Sequence, residues 1–281
     1  MIAICPNPFR DAGLQLTREA MRLLNEAGFD TVVCPLFAED EPGIVPDDIK
    51  TRELKDVAKD CQMIVVIGGD GTILAAVRAA RDYSPLILGV NLGTKGFMAS
   101  LEAEDLPLIV KAARSEAAIS RRMMLDIELI RDGKVIYTDR ALNDAVIHGY
   151  GDCVKLTAMC DMNVISTFSG DGIVISTPTG STGYSMSAGG PIIEPEAENL
   201  IITPICAHMM GARSFVLAPT KTVEVTTFKL HHRKAYLSVD GNSVYDMANK
   251  DLLIVRRSAQ YTNMADLGLK SFYDTAYEKL N

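Results

Sequence analysis

The stretch "VVIGGDGTIL", residues 65–74, runs three β-branched residues into Gly68-Gly69-Asp70-Gly71-Thr72 and then into an apolar helical pattern. A short continuous apolar run ending in glycines reads as a strand buried on both faces, the habit of a parallel sheet covered by helices. Its neighbours repeat the theme: "MIAICP", "DTVVCP" and "PLILGVN" are further short apolar strands. Between them, "LQLTREAMRLLNEAG" sets Leu16, Ala20, Leu23 and Leu24 on one helical face and stops at Gly28. Residues 1–118 are therefore expected to form an α/β domain with a parallel sheet that binds nucleotide or phosphate.

The texture changes near Arg121. The segments "MMLDIELI", "KVIYTDRALNDAVIHG", "KLTAMCDMNVIST", "IVISTP", "TVEVTTF", "KAYLSVDG" and "DLLIVRRS" are short and largely alternating, with turn residues between them. That pattern predicts a β-rich second domain over residues 119–261, antiparallel and sandwich-like. The last stretch, "DLGLKSFYDTAYEKLN", turns helical again, and residues 262–281 are expected to dock back on the first domain. Two closely joined domains predict an active site in the crevice between them.

Composition bounds the partners. The chain has 281 residues, 48% of them hydrophobic and 23% charged, which suits a globular protein with a sizeable core. A net charge of −8 leaves no basic footprint for nucleic acid. Six cysteines contain no CxxC, and Cys153 and Cys160 lack histidines at metal spacing, so neither structural zinc nor a disulfide framework is expected, and no residue is assigned as a metal ligand. No run approaches the ~18 apolar residues of a membrane span, and the N-terminus lacks the basic region of a signal peptide. The expectation is a reduced, cytoplasmic protein with no membrane partner.

The glycine turn carries the first chemical signal. Glycines after a buried strand let backbone N–H groups approach an anion, and the following helix adds its positive end. Gly68, Gly69, Gly71 and Thr72 thus form a candidate phosphate loop. Neither GxxxxGK[ST] nor GxGxxG occurs, and "GVNLGTKG" at residues 89–96 lacks the spacing. The bland alternative is a tight turn in which Asp70 caps the helix. An acid facing phosphate needs a metal between them or a proton to take, and both roles point to phosphoryl transfer.

The second signal is "GDGIVISTPTGSTGYSMSAGGPI", residues 170–192, where eight hydroxyl residues fall within the twelve positions from Ser176 to Ser187. Hydroxyls and free backbone amides suit a hydrogen-bonding ligand such as a nucleoside, the alternative being a hydrophilic surface loop. In "LNDAVI", Asn143-Asp144 is either a turn or a carboxylate for the two hydroxyls of a ribose. The "VDGN" of residues 239–242 is the weakest of the set, since Asp-Gly most often marks a hairpin. Among the histidines, His231-His232-Arg233-Lys234 reads as an exposed basic turn, and His148 and His208 as packed or capping residues.

In this order and spacing, "GGDGT", "LND", the long Ser/Thr/Gly segment and "VDGN" resemble the signatures of the NAD kinase family across nearly the whole chain. The long segment is highly specific, whereas "GGDGT" is shared with diacylglycerol and sphingosine kinases and phosphofructokinases. The resemblance implies an enzyme that transfers phosphate from ATP, with Mg²⁺ or another divalent cation, to the 2′-hydroxyl of the adenosine ribose of NAD. It also implies assembly into homodimers or homotetramers. It makes Asp70 the general base or the group orienting the hydroxyl, with Gly71 beside it. Asn143 and Asp144 stand for the family's Asn-Glu pair that holds NAD, and Asp171 would contact the nicotinamide end. Thr182, Gly183, Tyr184 and Ser187 would line the dinucleotide, and Asn242 completes the NAD-binding set. Two residues depart from the family pattern: Asp144 is one methylene shorter than Glu, and Gly183 replaces Ala. Two other classes compete with this reading. A lipid kinase of the diacylglycerol or sphingosine type would need an apolar groove, which the Ser/Thr/Tyr-rich segment argues against. A non-catalytic NAD(P)-binding sensor could dispense with Asp70.

Overall fold

The computed structural model describes every residue except Thr94, Lys95, Met210, Lys229, His231, His232 and Asn281, and leaves aside the side chains of Asp40, Ser243 and Val244. Part of the "GVNLGTKG" segment and the two histidines of the expected basic turn thus lie outside the described residues. The chain divides into two compact units, Met1–Arg121 with Thr262–Asn281, and Arg122–Tyr261.

The first unit is built on strands β1 (Ile2–Pro6), β2 (Thr31–Val33), β3 (Met63–Gly68), β4 (Leu86–Asn91) and the short β5 (Leu101–Glu102). They pair in parallel, in the order β2-β1-β3-β4. The helices are α1 (Gln15–Glu26), α2 (Leu54–Val57), α3 (Asp70–Ala80) and α4 (Ile109–Ala113). All six residues of β3 are buried, as a strand covered on both faces requires. One face, Met63, Val65 and Ile67, packs with Ala20 and Leu24 of α1 and Ile109 and Ala112 of α4. The residues between them point the other way, and there α3 lies against β3 with Ile73, Ala76 and Val77 buried. Each buried Val, Ile, Leu or Met among them contributes on the order of 1.5–3 kcal/mol by leaving water.

The order 2-1-3-4 means that the chain leaves β1 toward one edge and β3 toward the other. In such sheets the carboxyl ends of the two central strands splay their loops apart and leave a crevice. Here those ends are Asn7–Asp11 after β1 and Gly68–Thr72 after β3. The first loop is held by Asp11, whose carboxylate accepts the backbone N–H groups of Leu16 (3.0 Å) and Thr17 (2.9 Å) and the Thr17 hydroxyl (2.6 Å). Arg10 and Asp11 both donate their N–H to the Asn7 carbonyl, so the helix anchor and the loop are one structure.

The second unit is antiparallel, apart from the ends of its first and last strands. It comprises β6 (Ala118–Arg131), β7 (Lys134–Ala141), β8 (Asp144–Gly149), β9 (Val154–Cys160), β10 (Asn163–Gly170) and β11 (Gly172–Ser176). It continues with the single-turn helix α5 (Tyr184–Ser187), β12 (Leu200–Ile205), β13 (Phe215–Leu217), β14 (Thr222–Phe228), β15 (Ala235–Val239), β16 (Asn242–Met247) and β17 (Leu252–Asp266). One sheet runs β13-β12-β11-β8-β15-β16, and facing it are β10-β9-β14-β17 and the β6–β7 hairpin. Ala145, Ile147, Ile173 and Ile175 of the first share a core with Leu156, Val223, Val225 and Leu253 of the others, which makes the unit a sandwich. The end of β17, at Asn263 and Met264, pairs in parallel with β4 in the first unit's sheet, and α6 (Phe272–Leu280) follows.

Removing the Asp11 anchor tests this account of the β1 loop. Asp11→Ala is expected to lower stability by about 1–2 kcal/mol, as lost helix caps do, read as a lower urea midpoint at unchanged slope.

Candidate functional site

In the first unit, the glycine turn opens directly into a helix. Gly68 ends β3, Gly69 is the N-cap of α3, and Asp70 is the first helical residue. Asp70 does not cap its own helix. Its carboxylate accepts the backbone N–H groups of Phe97 (2.9 Å) and Met98 (3.2 Å), 27 and 28 residues further on. The negative charge also sits in the first helical turn, where the positive end of α3 favours it.

None of Gly68, Gly69 and Gly71 takes a positive φ, so the turn uses glycine for space rather than for backbone conformation. A Cβ on Gly68 would lie 2.4 Å from Thr72 Oγ1, and one on Gly96 would lie 2.2 Å from Asp70 Oδ1. At Gly71 nothing stands within 4 Å, which leaves the helix N-terminus open to a ligand. Thr72 Oγ1 meets the N–H of Gly69 (3.4 Å) and the side chain of Asn7 (3.5 Å), tying the two loops together. They border an open cleft of about 250 Å³ lined by Asn7, Arg10, Gly69, Asp70, Gly71, Thr72, Gly96 and Lys279 among others. Arg10 Nη1 donates to the Leu92 carbonyl at 2.8 Å, and its guanidinium flanks Gly69.

The motif search missed Asn7, Arg10, Gly96 and Lys279. A signal for the first two was available, since ligands of doubly wound sheets bind at the carboxyl ends of the central strands. Gly96 ends the "GVNLGTKG" stretch, whose spacing does not fit a phosphate loop, and nothing local marked Lys279.

In the second unit, Asn143 and Asp144 lie where β8 begins, and Asp240 organises both. The Asp240 carboxylate accepts the N–H groups of Leu142 (2.8 Å), Asn143 (2.7 Å) and Asp144 (3.1 Å). The "VDGN" segment is the expected hairpin turn, with Asp240 and Gly241 both at positive φ, and it is an anchor as well. Asn242, exposed after it, donates its amide to the Asp240 carbonyl at 3.3 Å. Asp144 is buried, and desolvation followed by the charge of Asp240 pushes its carboxyl up to about 7.

The hydroxyl-rich turn is used differently from its composition. The hydroxyls of Ser176, Thr177, Ser181, Thr182 and Ser185 are engaged within the unit, on Thr177 O, Leu142 O, Ile193 O, Thr179 O and Thr203 Oγ1 respectively. Tyr184 and Ser187 of α5 remain exposed, and the Tyr184 ring stacks on His148, itself stacked on Tyr236. His148 is thus a packed residue, and burial lowers its pKa. Gly180 lies against Asn143, where a Cβ would approach the Asn143 carbonyl to 2.3 Å. A Cβ on Gly183 would meet Gly180 O at 3.3 Å, so alanine there needs only a small shift. Two buried acceptors in this region, Asn143 Oδ1 and Thr179 Oγ1, have no hydrogen-bond partner among the described residues. Asp171 is exposed at the head of β11, with the Cys153 thiol 3.9 Å away. Among the described residues, no group of three or more His, Cys, Asp or Glu side chains is placed to hold a metal ion.

A parallel α/β unit with an acid in its glycine turn, together with an antiparallel unit that carries a Gly- and hydroxyl-rich turn, has the features of a two-domain small-molecule kinase. The family described as ATP-NAD kinase N-terminal domain matches residues 2–114, and ATP-NAD kinase C-terminal domain matches residues 142–267. An NAD kinase of Acetivibrio thermocellus is 35% identical over 99% of this chain and 96% of its own length. That of Natranaerobius thermophilus is 34% identical over 99% and 97%. Among solved structures, yeast NADH kinase complexed with NADH gives a TM-score of 0.86 at 25% identity, covering 99% of this chain and 86% of that one. An NAD kinase from Archaeoglobus fulgidus in complex with ATP shares the fold, with a TM-score of 0.74 at 22% identity over 100% and 98%. The chain belongs to the NAD kinase family.

The Asp144 carboxyl makes the second unit's stability depend on pH. Its folded pKa, about 7, lies above the ordinary carboxylate value, so between about pH 4 and pH 7 the folded chain holds a proton that the unfolded chain has released. The stabilisation is complete below that range and is lost as pH rises through 7. Asp144→Asn, isosteric and uncharged, is expected to be more stable than the parent at pH 8, by up to about 4 kcal/mol, with the gap closing toward pH 4. Urea unfolding across that range measures it.

Proposed function

We infer that the protein phosphorylates NAD at the 2′-hydroxyl of its adenosine ribose, using ATP, to give NADP. The setting of Asp70 carries the reading: a carboxylate held by two backbone N–H groups in a cleft that also contains Arg10, Lys279 and an open helix N-terminus. A polyphosphate would be met there by N–H groups and two cations, and its acceptor by an acid. Family membership names the substrates: relatives matched over nearly their whole length are NAD kinases. The lipid-kinase and sensor alternatives find no support among them.

In the proposed step, Asp70 takes the proton of the ribose hydroxyl while the new bond forms between that oxygen and the γ-phosphorus. The bond to the β-γ bridging oxygen breaks, and ADP leaves. Two accepted N–H bonds still leave lone pairs on the Asp70 oxygens for the hydroxyl. A divalent cation would accompany the ATP and would offset the charge of its phosphates. Gly68, Gly69, Gly71 and Thr72 form the phosphate-facing turn.

NAD would be held by Asn143, Asp144, Asp171, Thr182, Gly183, Tyr184, Ser187 and Asn242, with Asp70 and Gly71 at the reacting hydroxyl. Tyr184 offers an exposed ring face to a base. A homodimer or homotetramer rests on the resemblance to the family alone, and a cytoplasmic location on the cysteine usage and apolar runs of the sequence; no helix among the described residues is long and apolar enough to cross a membrane.

Mg·ATP and NAD are expected to yield NADP, read with an NADP-specific dehydrogenase, and absence of product would overturn the reading. Asp70→Asn keeps the shape while removing the base and one of the two acceptors for the backbone N–H groups. Turnover is expected to fall by roughly 10²–10⁴ with NAD binding retained.

A further inference from the structure

We propose that Lys279 of α6 is a phosphate-binding residue for the donor and, with Arg10, supplies the cationic charge that the glycine turn lacks. The proposal rests on the kinase reading above, in which the cleft receives the donor's phosphate chain.

Phosphate loops commonly carry their own lysine, whereas this turn carries an acid. A triphosphate brought against Asp70 alone would be repelled, and protein cations beside the turn would add to what a divalent cation and the helix N-terminus offset. The cleft lining supplies two cations, Arg10 from the β1 loop and Lys279 from the far end of the chain. Arg10 is partly committed, since Nη1 donates to the Leu92 carbonyl. The Lys279 ammonium lies 4.3 Å from the centre of the Phe97 ring and forms no ion pair among the described residues. Its neighbour Glu278 is taken by Lys270 instead. A ring face is a weak seat for an ammonium, one that phosphate oxygens displace.

The same residue sets both charges. Phe97 gives its N–H to Asp70 Oδ2, and its ring seats Lys279. Phe272, at the start of α6, places its ring 6.2 Å from that of Phe97. Ser271 closes the helix's N-terminus by accepting the N–H of Asp274 at 3.1 Å. No residue of α6 is fully buried, so core packing does not account for where the helix lies. What its position does accomplish is to bring a lysine to the cleft.

Three proteins test this: the parent chain, Lys279→Met, which keeps an apolar stem over Phe97, and Lys279→Arg, which keeps the charge. Inorganic tripolyphosphate binding is measured by calorimetry, and KM for Mg·ATP and for NAD by steady-state kinetics. Lys279→Met is expected to weaken tripolyphosphate binding and raise KM for ATP by about tenfold to a hundredfold, the scale of one charge-assisted hydrogen bond. KM for NAD should stay within twofold, the thermal midpoint should not move, and Lys279→Arg should recover most of the affinity. Unchanged tripolyphosphate affinity in Lys279→Met would overturn the proposal, as would equal losses in the Met and Arg variants. If the parent makes no NADP yet Lys279→Met still loses tripolyphosphate binding, the kinase reading fails and the phosphate site stands.

Discussion

A carboxylate in a packed fold needs hydrogen-bond donors in place of the water it has lost. Two acids of this protein find them in the backbone. Asp70 takes the N–H groups of Phe97 and Met98, and Asp240 takes those of Leu142, Asn143 and Asp144. Much of the surrounding structure serves these contacts: Gly96 must lack a Cβ for Asp70 to fit, and the tight turn at Asp240-Gly241 aims its carboxylate at the head of β8. Asp144 lacks this provision and sits near Asp240, and its carboxyl rises to about 7. Three carboxylates of one chemical type thus sit in different settings, two accepting backbone N–H groups and the third buried near one of them.

The hydroxyl-rich turn shows why composition and use can part. Most of its hydroxyls hold the turn together by bonding to carbonyls or, at Ser185, to the Thr203 hydroxyl of β12, while Tyr184 and Ser187 stay exposed and Asn143 Oδ1 and Thr179 Oγ1 have no partner among the described residues. A segment that must pass close to Asn143 has little room for anything but glycine at position 180. The density of Ser, Thr and Gly is therefore largely the means of building a rigid, closely packed turn. Its recognition capacity lies in the few groups that this packing leaves over.

What the sequence by itself determined is whatever can be read within one element or one turn. Continuous apolar runs at β1, β3 and β4 specified strands buried on both faces, because two covered faces leave no polar positions in the period. Alternation after Arg121 specified antiparallel structure, and the order of four motifs specified the family. Tertiary structure alone decided which residues share a site, because the contacts concerned join distant parts of the chain. Arg10 reaches Leu92 across 82 positions, Asp240 reaches Asn143 across 97, and Lys279 arrives at the cleft from the last helix. A glycine at 96 or a lysine at 279 looks ordinary in its own neighbourhood. Each acquires meaning only when folding sets it against a carboxylate or a ring that no local pattern connects to it.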